Sequence, residues 1–166
     1  MNDKTNKNLA SAFAEESAAA ARNEAFAKKA EKNKLLQLSR LFRAFAAAET
    51  VHAKKYLLIL RGKGGSNEEN IKYAFENDIN ANEDKYKKLL QDATDEGVKG
   101  AEKFFSQSRE VAIVHAEMYK EALETLLIGK DQKYHVCTIC GYIREDKAPE
   151  NCPVCGAVKS RFNNIY

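Results

Sequence analysis

Near its C-terminus the chain contains Cys137-Thr-Ile-Cys140-Gly141 and then, at the same internal spacing, Cys152-Pro-Val-Cys155-Gly156. Two cysteines separated by two residues lie in one tight turn, so both sulfurs can face a single ion. A glycine after the second cysteine tolerates a positive φ, which lets backbone amides point at the sulfurs. The chain has four cysteines and all of them lie in these two segments. This clustering predicts one tetrathiolate metal site rather than a disulfide scaffold.

The segment that carries these cysteines differs in composition from the rest of the chain. It has no helical periodicity, and both prolines of the chain, Pro149 and Pro153, lie in it. A segment of roughly thirty residues cannot fold on apolar burial alone, so a bound metal must stabilise it. We therefore predict a metal-binding domain over residues 135–166, preceded by a polar linker over residues 130–134.

The identity of the metal does not follow from the spacing. A tetrahedral set of four thiolates suits iron and zinc equally. Iron in such a cage makes a one-electron carrier, whereas zinc would make a structural ribbon for docking a partner. Both alternatives stay open on the residues alone.

The first 129 residues have the composition and the periodicity of long helices. Alanine, lysine, glutamate and leucine dominate there and no proline occurs, and these residues favour helix. Apolar residues recur with the helical period, and glycines mark the helix ends. The pattern predicts four helices over residues 9–33, 35–61, 67–96 and 101–128. Four long helices joined by short loops predict a four-helix bundle over residues 1–129.

Acids and histidines interrupt the apolar stripes of these helices. Glu16 lies on the first helix, Glu49 and His52 form an E-x-x-H motif on the second, and His115 lies on the fourth. Residues three apart share a helix face, so Glu49 and His52 can reach one ion. Inward glutamates with E-x-x-H pairs are typical of di-iron carboxylate bundles. These four side chains are the candidate catalytic residues, although an E-x-x-H motif on an alanine-rich helix often has only a structural role.

The whole chain, helices first and cysteines last, resembles the rubrerythrins. The resemblance is carried by Tyr134-His-Val-Cys137-Thr-Ile-Cys140-Gly-Tyr142, by Cys152-Pro-Val-Cys155-Gly-Ala157 and by the E-x-x-H motif. It implies a mainly α protein, with a ferritin-like four-helix bundle followed by a rubredoxin-like domain that holds iron. It also implies a peroxidase in which bundle iron reduces hydrogen peroxide to water. The cysteine-bound iron would pass on electrons from a reductase or a small electron carrier, commonly across a homodimer interface.

The resemblance also implies bundle metal ligands at five positions, namely Glu16, Glu49, His52, Asp78 and His115. Two positions depart from the family pattern. Ala81 stands in place of a second glutamate on the third helix, and Ala112 in place of the bridging glutamate of the second E-x-x-H motif. Fewer carboxylates leave more uncompensated positive charge on a buried metal pair. A weakened di-iron site and a site holding one metal both fit this donor set.

Two further alternatives belong to other functional classes. One is an electron-transfer or metal-binding protein whose bundle site has decayed, and the other is a structural bundle with a zinc knuckle. The net charge of +3, with lysines interspersed among acids, does not indicate a nucleic-acid partner. The chain has no run of about 18 apolar residues, and its polar N-terminus does not resemble a secretion signal. We therefore expect a cytoplasmic protein with no membrane partner.

Overall fold

The computed structural model describes residues 3–61, 65–78, 82–129 and 131–165. Within these ranges the chain forms five α-helices, three short strands and one short 3-10 helix. The chain divides into two compact units, Met1–Gly65 and Ser66–Tyr166. None of the helices in the described ranges combines the length and the apolar character needed to cross a membrane.

The first unit is a hairpin of two long helices, α1 (Asp3–Lys32) and α2 (Leu36–Arg61). Both match the predicted helices, although α1 begins earlier than predicted. Lys34 has a φ of 62° in the connection, and the N–H of Leu35 donates to the carbonyl of Ala30 at 2.9 Å. This left-handed residue and its hydrogen bond end α1 as in a Schellman motif. The two helices pack closely because the residues buried between them are small: Ala27, Ala30, Ala46 and Ala53.

The second unit contains three helices, α3 (Asn67–Asp78), α4 (Asn82–Asp95) and α5 (Lys99–Thr125). A capping box begins α3: the N–H of Glu69 donates to Ser66 Oγ at 3.2 Å, and the N–H of Ser66 donates to Glu69 Oε2 at 2.6 Å. The sequence predicted one helix over residues 67–96. Residues 67–78 and 82–95 are helical, and residues 79–81 lie outside the described part of the chain.

A small antiparallel sheet completes the second unit. Its strands are β1 (Tyr134–Cys137), β2 (Ile143–Glu145) and β3 (Phe162–Ile165), in the order β2-β1-β3. Tyr134 pairs with Glu145 on one side and with Ile165 on the other. Val111 of α5 is buried in one cluster with Cys137, Tyr142 and Cys152. The sheet and its cysteine loops therefore share a core with α5. The division into domains over 1–129 and 135–166 stays a prediction.

Candidate metal centres

The four-cysteine knuckle (residues 137–156) is built from two loops with the same hydrogen bonds. In the first loop the N–H of Gly141 donates to Cys137 O, and the N–H of Cys137 donates to Tyr142 O, both at 2.9 Å. Gly141 has a φ of 82°, and a Cβ there would meet no atom within 4 Å. Glycine is therefore required by the backbone conformation rather than by space. The second loop repeats the pattern, from Gly156 to Cys152 at 2.9 Å and from Cys152 to Ala157 at 2.7 Å.

The sulfur positions fit a tetrahedral ion. Cys137 Sγ lies 3.7 Å from Cys155 Sγ, and Cys140 Sγ lies 3.6 Å from Cys152 Sγ. A tetrahedron with metal–sulfur bonds of about 2.3 Å has edges of about 3.8 Å. All four cysteines are free, and these separations are far from the ~2.05 Å of a disulfide. The knuckle can therefore hold one iron or zinc ion with little movement of its sulfurs.

The pKa values of the thiols show that a metal ion must compete with protons for the sulfurs of the knuckle. Burial raises the pKa of Cys140 and, to a smaller extent, that of Cys155. Burial acts in the same direction on Cys137, but hydrogen bonds from the backbone N–H groups of Cys140 and Ile139 outweigh it, and the pKa of Cys137 is lowered. Four thiolates cannot share this space without a cation. A bound metal therefore displaces the thiol protons and completes the fold of the loops.

The helical cluster consists of Glu16 on α1 with Glu49 and His52 on α2. His52 Nδ1 lies 3.5 Å from Glu16 Oε1 and 3.7 Å from Glu49 Oε2. One ligand atom from each of the three side chains lies within 4.8 Å of the other two. The carboxylates are about a quarter exposed, whereas His52 is 53% exposed. The packing of α1 on α2 thus brings together three of the five bundle ligands that the sequence predicted.

The electrostatics of the helical cluster favour a cation. The pKa of Glu49 is raised, because its carboxyl group shares a hydrogen bond with that of Glu16, and burial and the charge of Glu16 add to this effect. The charge of His52 acts in the opposite direction. Two carboxyl groups held this close repel each other when both are ionised. A divalent ion between them would neutralise both charges.

His115 faces the knuckle through one of its ring nitrogens. Its Nε2 lies 3.2 Å from the carbonyl oxygen of Gly141, so a neutral ring there donates its N–H from Nε2 and keeps a lone pair on Nδ1. Metal-bound histidines commonly have this arrangement, with the second nitrogen held by a carbonyl. Ala112, one turn earlier on α5, offers no ligand atom. The side chain of Asp78 and the whole of Ala81 lie outside the described residues.

One structural feature of α5 was missed in the sequence. Gln107 and Val111 are buried, and Val114 is partly buried against the knuckle. Together with His115 they follow the helical spacing of a single face. That spacing predicts a buried face on α5, but it does not say that the knuckle covers it. In the described part of the chain, the Oε1 atom of Gln107 is one of two buried side-chain atoms without a hydrogen-bond partner.

Two family models match the chain. The model described as "Rubrerythrin" matches residues 7–123, and the model described as "Rubrerythrin, rubredoxin-like domain" matches residues 135–163. The first match covers the helical cluster and α5, and the second covers the knuckle. The two matches follow the order of domains that the sequence predicted.

The chain is also similar to characterised proteins over most of its length. It is 34% identical to nigerythrin of Nitratidesulfovibrio vulgaris, over 95% of this chain and 85% of that protein. It is 30% identical to rubrerythrin of Porphyromonas gingivalis, over 96% of this chain and 88% of that protein. A solved structure described as the fully reduced, all-ferrous state of nigerythrin superposes with a TM-score of 0.58 at 31% identity, over 97% of this chain and 86% of that chain. These matches confirm the predicted fold class, ferritin-like helices followed by a rubredoxin-like domain.

Proposed function

The chain belongs to the rubrerythrin family of non-haem iron oxidoreductases, and on that premise we propose that it reduces hydrogen peroxide to water with electrons relayed through the knuckle. The observation that carries the proposal is the presence of two unlike donor sets in one chain. Four thiolates suit an iron that only exchanges electrons. Two carboxylates and an imidazole suit an ion that also binds an oxygen substrate.

Reduction of one peroxide molecule consumes two electrons and two protons and releases two water molecules. Iron bound in the helical cluster would supply one of the two electrons that break the O–O bond, and the knuckle iron would supply the other. Glu16, Glu49 and His52 provide three donors to such an ion, which leaves coordination positions for substrate. Half-exposed His52 keeps this side of the cluster accessible to a small solute.

The contact between His115 and Gly141 supports the electron relay. Gly141 is bonded directly to Cys140, a knuckle ligand, and its carbonyl accepts the hydrogen bond of His115 at 3.2 Å. A route from thiolate to imidazole therefore crosses a few covalent bonds and one hydrogen bond. We propose that electrons leave the knuckle along α5 by this route. As the family resemblance implies, we propose that the protein works as a homodimer.

The knuckle also offers a surface to an electron donor. Ile139, between Cys137 and Cys140, is 49% exposed, and Val158, just after the second loop, is 55% exposed. Exposed apolar residues beside a redox centre suit brief contact with a reductase or a small electron carrier. We propose that such a donor reduces the knuckle iron after each turnover. We also propose that the protein works in the cytoplasm, in the defence against oxidative stress.

Ala112 favours a second candidate function, an electron-transfer or metal-binding protein without peroxidase activity. One experiment separates the two functions. The iron-loaded protein is reduced without air and mixed with hydrogen peroxide, and the ferric tetrathiolate absorption is followed as it returns. We expect the wild type to recover this absorption faster than His52→Ala, with about two electrons consumed per peroxide, because the helical cluster is needed. Equal rates in the wild type and in His52→Ala would support the electron carrier instead.

A further inference from the structure

The helical cluster has the composition of a site for a single metal ion. Its three donors all come from the hairpin of α1 and α2, and their ligand atoms lie within 4.8 Å of one another. Two carboxylates balance the charge of one divalent ion, so the site is neutral when it is loaded. Two oxygen donors and one imidazole suit Fe²⁺ or Mn²⁺, which accept mixed oxygen and nitrogen ligands.

The described residues do not fit a carboxylate-bridged pair of ions. The position one turn before His115 is Ala112, so α5 offers a single imidazole on that face. Two nearby acids, Glu110 and Glu117, are exposed. Glu110 is two positions from Ala112, and Glu117 is two positions from His115. Residues two apart in a helix point to different faces, so neither acid shares the face of His115. A second divalent ion would leave two positive charges against the carboxylates of the helical cluster. Uncompensated charge in a partly buried site is strongly disfavoured.

We infer that this chain binds one divalent first-row metal ion in its helical cluster, rather than two, with Glu16, Glu49 and His52 as the protein ligands. The inference concerns the same site as the proposed function but rests only on metal binding there, not on peroxide reduction. Because the three ligands lie on one helical hairpin, binding of this ion does not require His115.

The test is a titration with Mn²⁺ of the full chain whose knuckle already holds iron. Mn²⁺ prefers oxygen and nitrogen ligands over thiolates, so it reports on the helical cluster alone. Metal analysis and electron paramagnetic resonance should give one Mn²⁺ per chain, with the resolved hyperfine sextet of an isolated ion. Glu49→Gln and His52→Ala should lose this ion. The surface control Glu110→Gln should keep it, and so should His115→Ala.

The wild-type titration decides the inference. A coupled pair in the wild type, no binding in the wild type, or loss of the ion in His115→Ala would each overturn the inference.

The inference and the proposed function fail in different ways. One bound metal without any peroxide turnover would remove the proposed function and leave the one-metal site standing. Two bound metals with rapid turnover would do the reverse.

Discussion

The knuckle and the helical cluster are two metal-binding regions that the chain builds by different means. The four sulfurs of the knuckle come from residues 137–155, and hydrogen bonds inside two short loops set their positions. The three donors of the helical cluster come from residues 16–52, and the packing of α1 on α2 sets theirs. The first site is encoded locally, whereas the second depends on contacts that are distant in the sequence.

This difference affects how each site tolerates change. A local loop motif either retains all its ligands or loses its ion, because the loops fold around the metal. A cluster on preformed helices can lose ligands one at a time, since the helices persist without metal. Ala112 is consistent with such a loss, while every knuckle ligand is present. We therefore expect substitutions in the knuckle to unfold its loops, and substitutions in the helical cluster to weaken metal binding while the helices persist.

The largest effect is expected from Cys137→Ser. Cys137 is 1% exposed, and its loss should release the knuckle metal, whose binding in comparable small sites is worth about 10 kcal/mol or more. The sheet over residues 131–165 should then unfold and become sensitive to protease, and the tetrathiolate absorption should vanish. Most of the helical circular dichroism should remain.

Ser160→Ala, at an exposed position in the same domain, is the matched control and should change neither signal. Val111 of α5 packs on the knuckle, so a small loss of helicity in Cys137→Ser fits the account. Collapse of the whole helical signal would instead show that the helices depend on the knuckle.

Glu49→Gln should remove the ion of the helical cluster and leave the knuckle intact. Glu49 supplies one of only two carboxylates in the cluster, and the amide that replaces it carries no charge. We expect the metal affinity of the helical cluster to fall by about a hundredfold. Loss of a residue that only hydrogen-bonds to a metal ligand can already lower metal affinity by about that factor, and Glu49 is a direct ligand. Isothermal titration with Mn²⁺ measures the affinity, and the tetrathiolate absorption serves as an internal control. Unchanged affinity would show that the metal binds elsewhere.

Glycine substitutions in the knuckle should have a smaller effect. Gly141 has a φ of 82°, and an alanine in this conformation costs roughly 1–2 kcal/mol. Gly141→Ala should therefore speed the loss of the knuckle metal to a chelator by about tenfold. Gly100→Ala is a suitable control, because Gly100 lies in α5 without a positive φ and its Cβ would meet no atom within 4 Å. Equal rates in the two variants would mean that the loop conformation contributes little to holding the metal.

The smallest effect concerns the pH dependence of the metal-free protein. The pKa of Glu49 is raised in the folded chain, so the folded state binds more protons than the unfolded state between the ordinary pKa and the raised one. Stability should therefore fall as the pH rises through this window. Glu49→Gln should lose this dependence and melt slightly higher than the wild type at neutral pH. Thermal melts with chelator from pH 4 to pH 7 test this, and a wild type that gains stability more steeply than Glu49→Gln over that range would contradict it.

The sequence predicted the knuckle more completely than the helical cluster, for physical reasons. A C-x-x-C-G segment fixes its own turn, so the spacing alone located all four sulfurs. The stripe containing Glu49 and His52 also predicted their common face, because a helix fixes the relation of residues three apart. The bond from His115 to Gly141 joins residues 26 apart in sequence and depends on where α5 packs, which periodicity does not specify.

The central claim, one metal in the knuckle and one in the helical cluster, is tested most directly by the iron content of protein purified without air. Mössbauer spectroscopy of the same sample separates iron with sulfur ligands from iron with oxygen and nitrogen ligands. We predict about two irons per chain in equal amounts, one in each environment. About three irons, with an oxygen- and nitrogen-ligated pair, would contradict the one-metal site. Zinc in the knuckle with no metal in the helices would contradict the account of both regions.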